Sequence, residues 1–364
     1  METAKKKELF YDVVSKMRKG GADIGKDEWR EFVNAQNDEL RTGPEIGSKV
    51  PDFTLPDQDG RLWSLKELMG PAGLLLVFSR SADWCPYCRN QLADLQNSLA
   101  QLKEHGVNAA SITYDSQQIL SGFADANHVE YPMLSDAGSR VIRAFGILNH
   151  NVPEGHPMMF GMPFPGDYLI APDGTVRDKL FLPTYEHRAS ASQVLSRHFG
   201  ERGANSAEIK AGVVDATVSL SIDRCFPGQE LGLSLDVRIA PGWHVYGKPL
   251  PSNYQAIELK LESPLIDEQS LEFPAPAPVV LKALGETLSV YSQELKANGK
   301  VRIRWSPPVP APFLEGLGEK LNPGRYQIAG TLRFQTCSDE ICEPPRTITF
   351  ELPLTIEPGA KPKL

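Results

Sequence analysis

Cys85 and Cys88 stand three positions apart in Trp84-Cys85-Pro86-Tyr87-Cys88, a spacing at which two thiols can form and break a disulfide as a redox dithiol. The run from Gly73 to Ser79 (Gly-Leu-Leu-Leu-Val-Phe-Ser) reads as a buried strand. Leu92, Leu95, Leu99 and Leu102 then recur at helical spacing, so the cysteines open a helix. Backbone N–H groups and the positive end of the helix dipole favour a thiolate there, lowering the pKa of the first cysteine by roughly one to five units. Cys85 is therefore the expected attacking sulfur. Arg80 and Arg89 flank the motif and either support the thiolate or sit solvated, while Asp83 opposes it if close. A zinc site would need further ligands at suitable spacing, which the neighbouring sequence does not offer. A purely structural 85–88 disulfide would close too short a loop to confer much chain-entropy stabilisation.

The five cysteines sort into Cys85/Cys88, Cys337/Cys342 and a single Cys225, so two redox centres are expected, with Cys225 a buried apolar residue. So few cysteines in 364 residues do not make a disulfide-stapled scaffold. Histidines are scattered, and His150 and His156 share only a loop, so no metal and no cofactor are expected. With 41% hydrophobic and 23% charged residues the chain has the composition of a globular protein. Its net charge of −8 argues against a backbone-driven nucleic-acid binder. No stretch approaches the roughly 20 apolar residues of a membrane span, and Met1-Glu-Thr-Ala-Lys-Lys-Lys lacks a signal-peptide core, so cytoplasmic residence without membrane insertion is expected. Proteins or small oxidants are the expected partners.

To position the dithiol, the pattern from 46 to 200 alternates: strand 73–79, helix 86–105, strand 107–114, helix 117–127, strand 131–134, helix 137–145, strands 167–171 and 175–182, and helix 188–199. This is an α/β sheet. Before it, Leu9, Val13 and Met17, then Trp29, Phe32 and Val33, mark two short amphipathic helices in an extension over 1–45. The polar segment 201–212 reads as a linker. From 213 to 358 short alternating runs at 216–222, 230–239, 256–261, 300–305, 324–334 and 347–356, broken by proline clusters at 274–278 and 307–312, argue an all-β sandwich.

Ile46-Gly-Ser-Lys-Val-Pro-Asp-Phe-Thr-Leu-Pro-Asp-Gln-Asp-Gly60, Tyr131-Pro-Met-Leu-Ser-Asp136 and Pro163-Phe-Pro-Gly-Asp-Tyr-Leu-Ile170 together resemble peroxiredoxins of the alkyl hydroperoxide reductase and thiol-specific antioxidant type. The resemblance implies a thioredoxin-like fold over about 46–185 and a cis peptide before Pro165, beside the dithiol. The family's Pro-x-x-x-Thr-x-x-Cys is not reproduced. Counting back from Cys85 gives Phe78 and Ala82, and from Cys88 gives Ser81 and Cys85, so the threonine hydroxyl is missing or replaced by a thiol. Trp84-Cys85-x-x-Cys88 instead resembles the thioredoxin active site, which implies attack by Cys85, resolution by Cys88 and a Trp84 that covers the sulfur pair while leaving one sulfur exposed.

Pro241-Gly-Trp-His-Val-Tyr-Gly-Lys-Pro249, Leu288-Ser-Val-Tyr-Ser-Gln-Glu-Leu295 and Phe334-Gln-Thr-Cys-Ser-Asp-Glu-Ile-Cys-Glu-Pro-Pro345 resemble, in that order, the N-terminal periplasmic domain of the thiol reductant transporter DsbD. The resemblance implies an immunoglobulin-like sandwich over about 212–357, with Cys337 and Cys342 as a disulfide that passes electrons to a thioredoxin-like partner. Its cap loop would correspond to about Leu284–Tyr291. A purely structural disulfide remains the alternative. Alternation places Trp243 and Val245 on the core face of one strand and Tyr246 with His244, a candidate proton donor to the relay, on the other. The expected activity is thus thiol–disulfide exchange at Cys85/Cys88 coupled to a Cys337/Cys342 relay, with disulfide-bearing proteins or a thioredoxin-type reductant as partners. A thiol-dependent peroxidase using Cys85 or Cys88 is the alternative, and a sandwich serving only for docking is a third. A DsbD-like domain also makes a periplasmic setting conceivable.

Overall fold

The computed structural model describes residues 2–19, 23–281, 285–306 and 320–362, so the proline cluster at 307–312 and Leu284 lie outside the described residues. Two helices, α1 (Glu2–Arg18) and α2 (Lys26–Asn37), precede a small hairpin of β1 (Thr54–Pro56) and β2 (Leu62–Ser64) and the one-turn α3 (Leu65–Leu68). Then come β3 (Gly73–Phe78), α4 (Pro86–Asn97), α5 (Leu99–Glu104), β4 (Val107–Thr113), α6 (Gln117–Asn127), β5 (Met133–Ser135) and α7 (Arg140–Ala144). β6 (Gly166–Ile170), β7 (Val176–Leu180), β8 (Arg188–Ala189) and α8 (Ala191–Phe199) complete this half.

Its sheet runs β5-β4-β3-β6-β7, parallel across β3, β4 and β5 and antiparallel at β6 and β7, the thioredoxin-like α/β arrangement. β3 is buried at every position, as an unbroken apolar run in the middle of a covered sheet must be. The expected helix 86–105 is two helices meeting at Ser98. The expected helix from 188 starts at 191, because Ser190 caps it with its hydroxyl and Arg188–Ala189 is drawn into a strand.

The all-β half contains β9 (Ser206–Ala211), β10 (Val214–Leu220), β11 (Arg224–Cys225), β12 (Gln229–Ile239), β13 (Trp243–Tyr246), β14 (Glu258–Glu262) and β15 (Ile266–Glu272). β16 (Ala277–Leu281), β17 (Glu286–Ser292), β18 (Glu294–Ile303), β19 (Gly324–Phe334), β20 (Thr336–Ser338) and β21 (Arg346–Ile356) follow. One sheet, β15-β18-β12-β10-β9, faces another, β11-β21-β19-β14, across a core of alternating inward residues such as Val218, Leu233, Val301, Ile328 and Leu352. A third sheet, β16-β17-β13-β20, carries the second cysteine pair. Segment 206–211, expected in the linker, is the edge strand β9. It presents little but Ile209 and Ala211 to the core, which is why it reads as polar.

The halves are joined by more than a connecting chain. β8 pairs parallel with the start of β12, on the side that β10 leaves free beyond Leu220. The tail after β21 returns to the α/β half, where the Ala360 and Lys361 N–H groups donate to Asn90 of α4 and Asn127 of α6, both at 2.9 Å. No helix among the described residues is long and apolar enough to cross a membrane.

Candidate active site

β3 delivers the chain to the loop 79–84, which is pinned from below. The Ser81 hydroxyl (2.8 Å) and the Ala82 N–H (2.7 Å) donate to the buried Asp115 carboxylate. Cys85 is the N-cap of α4, accepting the Cys88 N–H at 3.4 Å, and Pro86 fills the first helical position, where no donor is needed. The two sulfurs lie 2.8 Å apart and neither residue has exposed surface, both at 0%.

The cover is the N-terminal extension. Phe10, Val13 and Val14 of α1 and Trp29, Phe32 and Val33 of α2 form one apolar cluster with Cys85, Cys88, Tyr87, Tyr185, Met159 and Met162. Trp84 joins this cluster as a partly exposed member, its indole N–H donating to the Tyr114 hydroxyl at 2.8 Å. Sequence periodicity marks both helices but not that they pack on the sulfurs. The thioredoxin-like expectation of one exposed sulfur is corrected accordingly.

Two arginines with almost no exposed surface share this space. Arg188 brings Nη2 to 3.4 Å from Cys88 Sγ and 3.9 Å from Cys85 Sγ, while Nη1 donates to the Tyr185 carbonyl at 3.0 Å. Arg80 stacks 3.8 Å over the Tyr185 ring and donates to Asn37 of α2 at 3.2 Å, so it is not a solvated flank. Arg89 caps the Asp83 carbonyl at 2.8 Å. Burial pushes both thiols up. At Cys88 the Cys85 S–H, then Arg188 and Arg80, outweigh that burial and hold the thiol well below its ordinary range. At Cys85 burial and the neighbouring Cys88 drive it well above. Arg188 also lies nearer Cys88 than Cys85, so the guanidinium favours charge on Cys88 where the helix start alone favours Cys85. Arg188 was missed because a single arginine at the start of a helical pattern carries no local mark of inward orientation.

Pro165 lies at the same sheet end as the dithiol loop, since its neighbour Gly166 pairs with Phe78. The cis bond expected before it is corrected: among the described residues the cis peptide is Lys248–Pro249. Around Pro165 the chain is already extended, with Pro163 bridged to Leu148 and the Phe164 N–H donating to Ile147 O before β6 begins. His150 and His156 are occupied separately, His150 against Glu39 and His156 accepting the Met158 and Met159 N–H groups.

Cys337 and Cys342 are disulfide-bonded, with Cα atoms 4.1 Å apart as directly opposed residues of an antiparallel bridge. The Tyr246 hydroxyl donates to Cys342 Sγ at 3.5 Å, and Leu281, Leu288 and Val290 pack on the pair. Tyr291, the aromatic of the expected cap stretch, points into the main sandwich core instead. His244 faces Cys337 in register, its ring bonded to the Ser292 hydroxyl at 2.8 Å. Cys225 is buried, and burial raises its thiol.

The two pairs are not brought together. Arg188 meets the start of β12, while β13, opposite Cys337, begins beyond its far end. The 11-residue strand spans about 35 Å at ~3.3 Å per residue, and the two pairs lie toward its opposite ends.

Residues 46–179 match the model of the AhpC/TSA family. A peroxiredoxin-class protein of Mycobacterium tuberculosis is 31% identical over 134 residues, 36% of this chain and 80% of that protein. The chain belongs to the peroxiredoxin family. Peroxiredoxin Bcp of Escherichia coli is 29% identical over 136 residues, covering 36% of this chain and 82% of its own length. A crystal structure of peroxidoxin BcpB from Mycobacterium tuberculosis aligns at 26% identity and a TM-score of 0.34, over 40% of this chain and 88% of that one. Residues 214–354 match the model of the N-terminal part of the thiol:disulfide interchange protein DsbD, so this peroxiredoxin carries a second, DsbD-type domain. The protein is a thiol-dependent oxidoreductase. Arg188, Tyr185 and the covering helices all lie outside the 46–179 match.

Proposed function

We propose that Cys88 is the sulfur that reduces a small peroxide and that Cys85 resolves it. The observation carrying this reading is the Cys88 sulfur, sealed from solvent, 2.8 Å from the Cys85 thiol and 3.4 Å from Arg188. Cys85 occupies the place where the family has its threonine hydroxyl, three residues before the reacting cysteine, and supplies the hydrogen-bond donor from sulfur instead of oxygen. The thiolate attacks the terminal peroxide oxygen, the O–O bond breaks, and the alkoxide leaves as the alcohol after protonation, giving a Cys88 sulfenic acid. The Cys85 thiol then displaces water to form the 85–88 disulfide. A protein disulfide cannot reach the covered pair as it stands, whereas a peroxide is small enough to enter. This is what favours peroxide over protein disulfides as the oxidant.

Regeneration is dithiol exchange with a thioredoxin-type reductant once α1 and α2 have moved off the oxidised pair, and the Cys337/Cys342 pair belongs to this step. A dithiol whose thiolate is stabilised makes a more oxidising disulfide, so electrons run from Cys337/Cys342 to Cys85–Cys88. With the two pairs toward opposite ends of β12, a strand of about 35 Å, that transfer requires a carrier or a second molecule. Exchange with protein disulfides at Cys85/Cys88 is the second reading, favoured by the Cys-x-x-Cys spacing at a helix start.

Stopped-flow peroxide consumption by the reduced protein tests the assignment. Cys88→Ser is expected to abolish the fast phase, and Cys85→Ser to keep one turnover and accumulate a trappable sulfenic acid. Full activity in Cys88→Ser, or loss of the first turnover in a folded Cys85→Ser, would overturn it.

A further inference from the structure

Arg188 is the cation nearest Cys88, and the Tyr185 and His187 carbonyls hold its Nη1, yet its strand is only two residues long and cannot by itself fix where this segment lies. Its backbone is held from the other half of the molecule. The Arg188 N–H donates to Gly228 O and the Ser190 N–H to Glu230 O, both at 3.0 Å, forming the ladder that pairs Arg188 with Gln229 and Ala189 with Glu230. Glu230 fastens the junction a second time. Its nearly buried carboxylate accepts from Gln193 of α8 at 3.3 Å and pairs with Arg302 at 3.1 Å and Lys300 at 3.3 Å on β18. Gly228 has φ +79°, and a Cβ there would stand 3.0 Å from the Glu186 carbonyl, two residues before Arg188. Only glycine takes that conformation without pushing the 186–188 segment away. From the same side Trp305 packs on Tyr87, inside the cysteine motif, with ring centroids 6.2 Å apart.

We propose that β12 of the DsbD-type domain is the positioning element for Arg188, with Gly228 and Glu230 as the residues through which the sandwich holds the guanidinium against Cys88 and sets the thiolate of the other domain. This rests on the reading of Cys88 as the thiolate. The charged and titratable groups facing the sulfurs and Arg188 include Arg80 from the loop after β3, Cys85 at the N-cap of α4, Tyr87 and Arg89 of α4, Tyr185, Glu186 and His187 before β8, and Asp167 of β6, with Tyr114 beyond Trp84. α1 and α2 offer the pair apolar side chains. Against burial on every side, the Arg188–Cys88 attraction depends on a separation of a few ångströms, so a small shift of β8 weakens it directly.

The test is thiolate ultraviolet absorbance against pH in the full-length reduced protein, with the titration of Cys88→Ser subtracted. Arg188→Ala is expected to raise the midpoint by roughly 1–3 pH units. Gly228→Val is expected to raise it by about 1 unit or more and to add nothing in the Arg188→Ala background, because both act through one contact. Glu230→Gln, which keeps the side-chain volume, decides the matter should Gly228→Val not fold, as judged by circular dichroism. An unmoved midpoint in Arg188→Ala would mean that Cys88 is not the thiolate. A midpoint moved by Arg188→Ala but left in place by the folded β12 variants, or shifts that sum in the double variants, would overturn the positioning role alone.

Discussion

Cys85 and Cys88 lie inside a cluster of aromatic and aliphatic side chains together with two buried guanidinium groups, whereas Cys337 and Cys342 oppose one another on a small sheet, with the Tyr246 hydroxyl and the Ser338 carbonyl as polar neighbours. The first environment stabilises a negative sulfur. Among the described residues no cationic side chain hydrogen-bonds either sulfur of the second pair, and Cys342 is partly exposed, so this environment accommodates a neutral disulfide within reach of a partner. Two cysteine pairs of similar spacing thus acquire different chemistry from residues far away in sequence: Arg188 is 100 positions beyond Cys88, and Tyr246 is 96 before Cys342. Spacing creates the pair, and the tertiary environment decides its charge.

The sharpest way to break this contrast is to open the cover over one pair only. Phe32 is fully buried, 5.1 Å from the Phe10 ring and 5.6 Å from Trp29. Phe32→Ala is expected to cost about 3–5 kcal/mol in denaturant unfolding. It should also speed labelling of Cys88 by a bulky maleimide while leaving the reduction rate of Cys337–Cys342 unchanged. Labelling that is no faster would show that α2 is not what closes the site.

Next in size is a pH effect confined to the dithiol end. Burial raises Asp115, under the loop, to about 6, and burial followed by Arg302 lowers His187, next to Arg188, to about 4. Folded Asp115 holds its proton more tightly than the unfolded chain does, so its contribution is greatest below pH ~4 and is lost as pH rises to 6. Folded His187 holds its proton less tightly, so its contribution is lost as pH falls from about 6.5 to 4. Each amounts to about 3 kcal/mol at ~1.4 kcal/mol per pKa unit, and the two slopes oppose one another. Relative to the parent, unfolding free energy from pH 4 to 6 should therefore rise more steeply with pH in Asp115→Asn and less steeply in His187→Phe. Parallel slopes in all three proteins would remove both assignments.

The smallest expected effect is at the other pair. Tyr246→Phe removes a hydrogen bond to Cys342 and should lower stability by about 0.5–1.5 kcal/mol. Reduction of Cys337–Cys342 should become modestly faster while the single-turnover reaction of Cys88 with peroxide stays unchanged. A change in that first turnover would mean that the second pair influences Cys88 directly.

Much of the fold is legible in the sequence because its signals are local. The apolar run of β3, the leucines of α4 and α5, and the change from alternating elements to proline-punctuated strands after residue 200 each reflect burial on a known period. What is not legible depends on contacts distant in sequence. β9 looks like a linker because Glu208 and Lys210 face solvent on an edge strand. Arg188 looks like the start of a helix because the partner strand that turns it inward lies some forty residues further on. The choice between Cys85 and Cys88 could not be made from the helix start alone. The dipole favours both sulfurs, whereas a single guanidinium separates them by half an ångström.

The returning tail has a mechanical consequence. The sandwich meets the α/β half at the short connection after α8, at the β8–β12 ladder, and again where Ala360 and Lys361 bond to Asn90 and Asn127. These attachments oppose a hinge: swinging the sandwich about the connection would tear the ladder that seats Arg188 and pull on the helix that begins at the cysteines. A tug on the chain's end is thus a tug on α4, and the tail works as a tie-rod between the two families' folds.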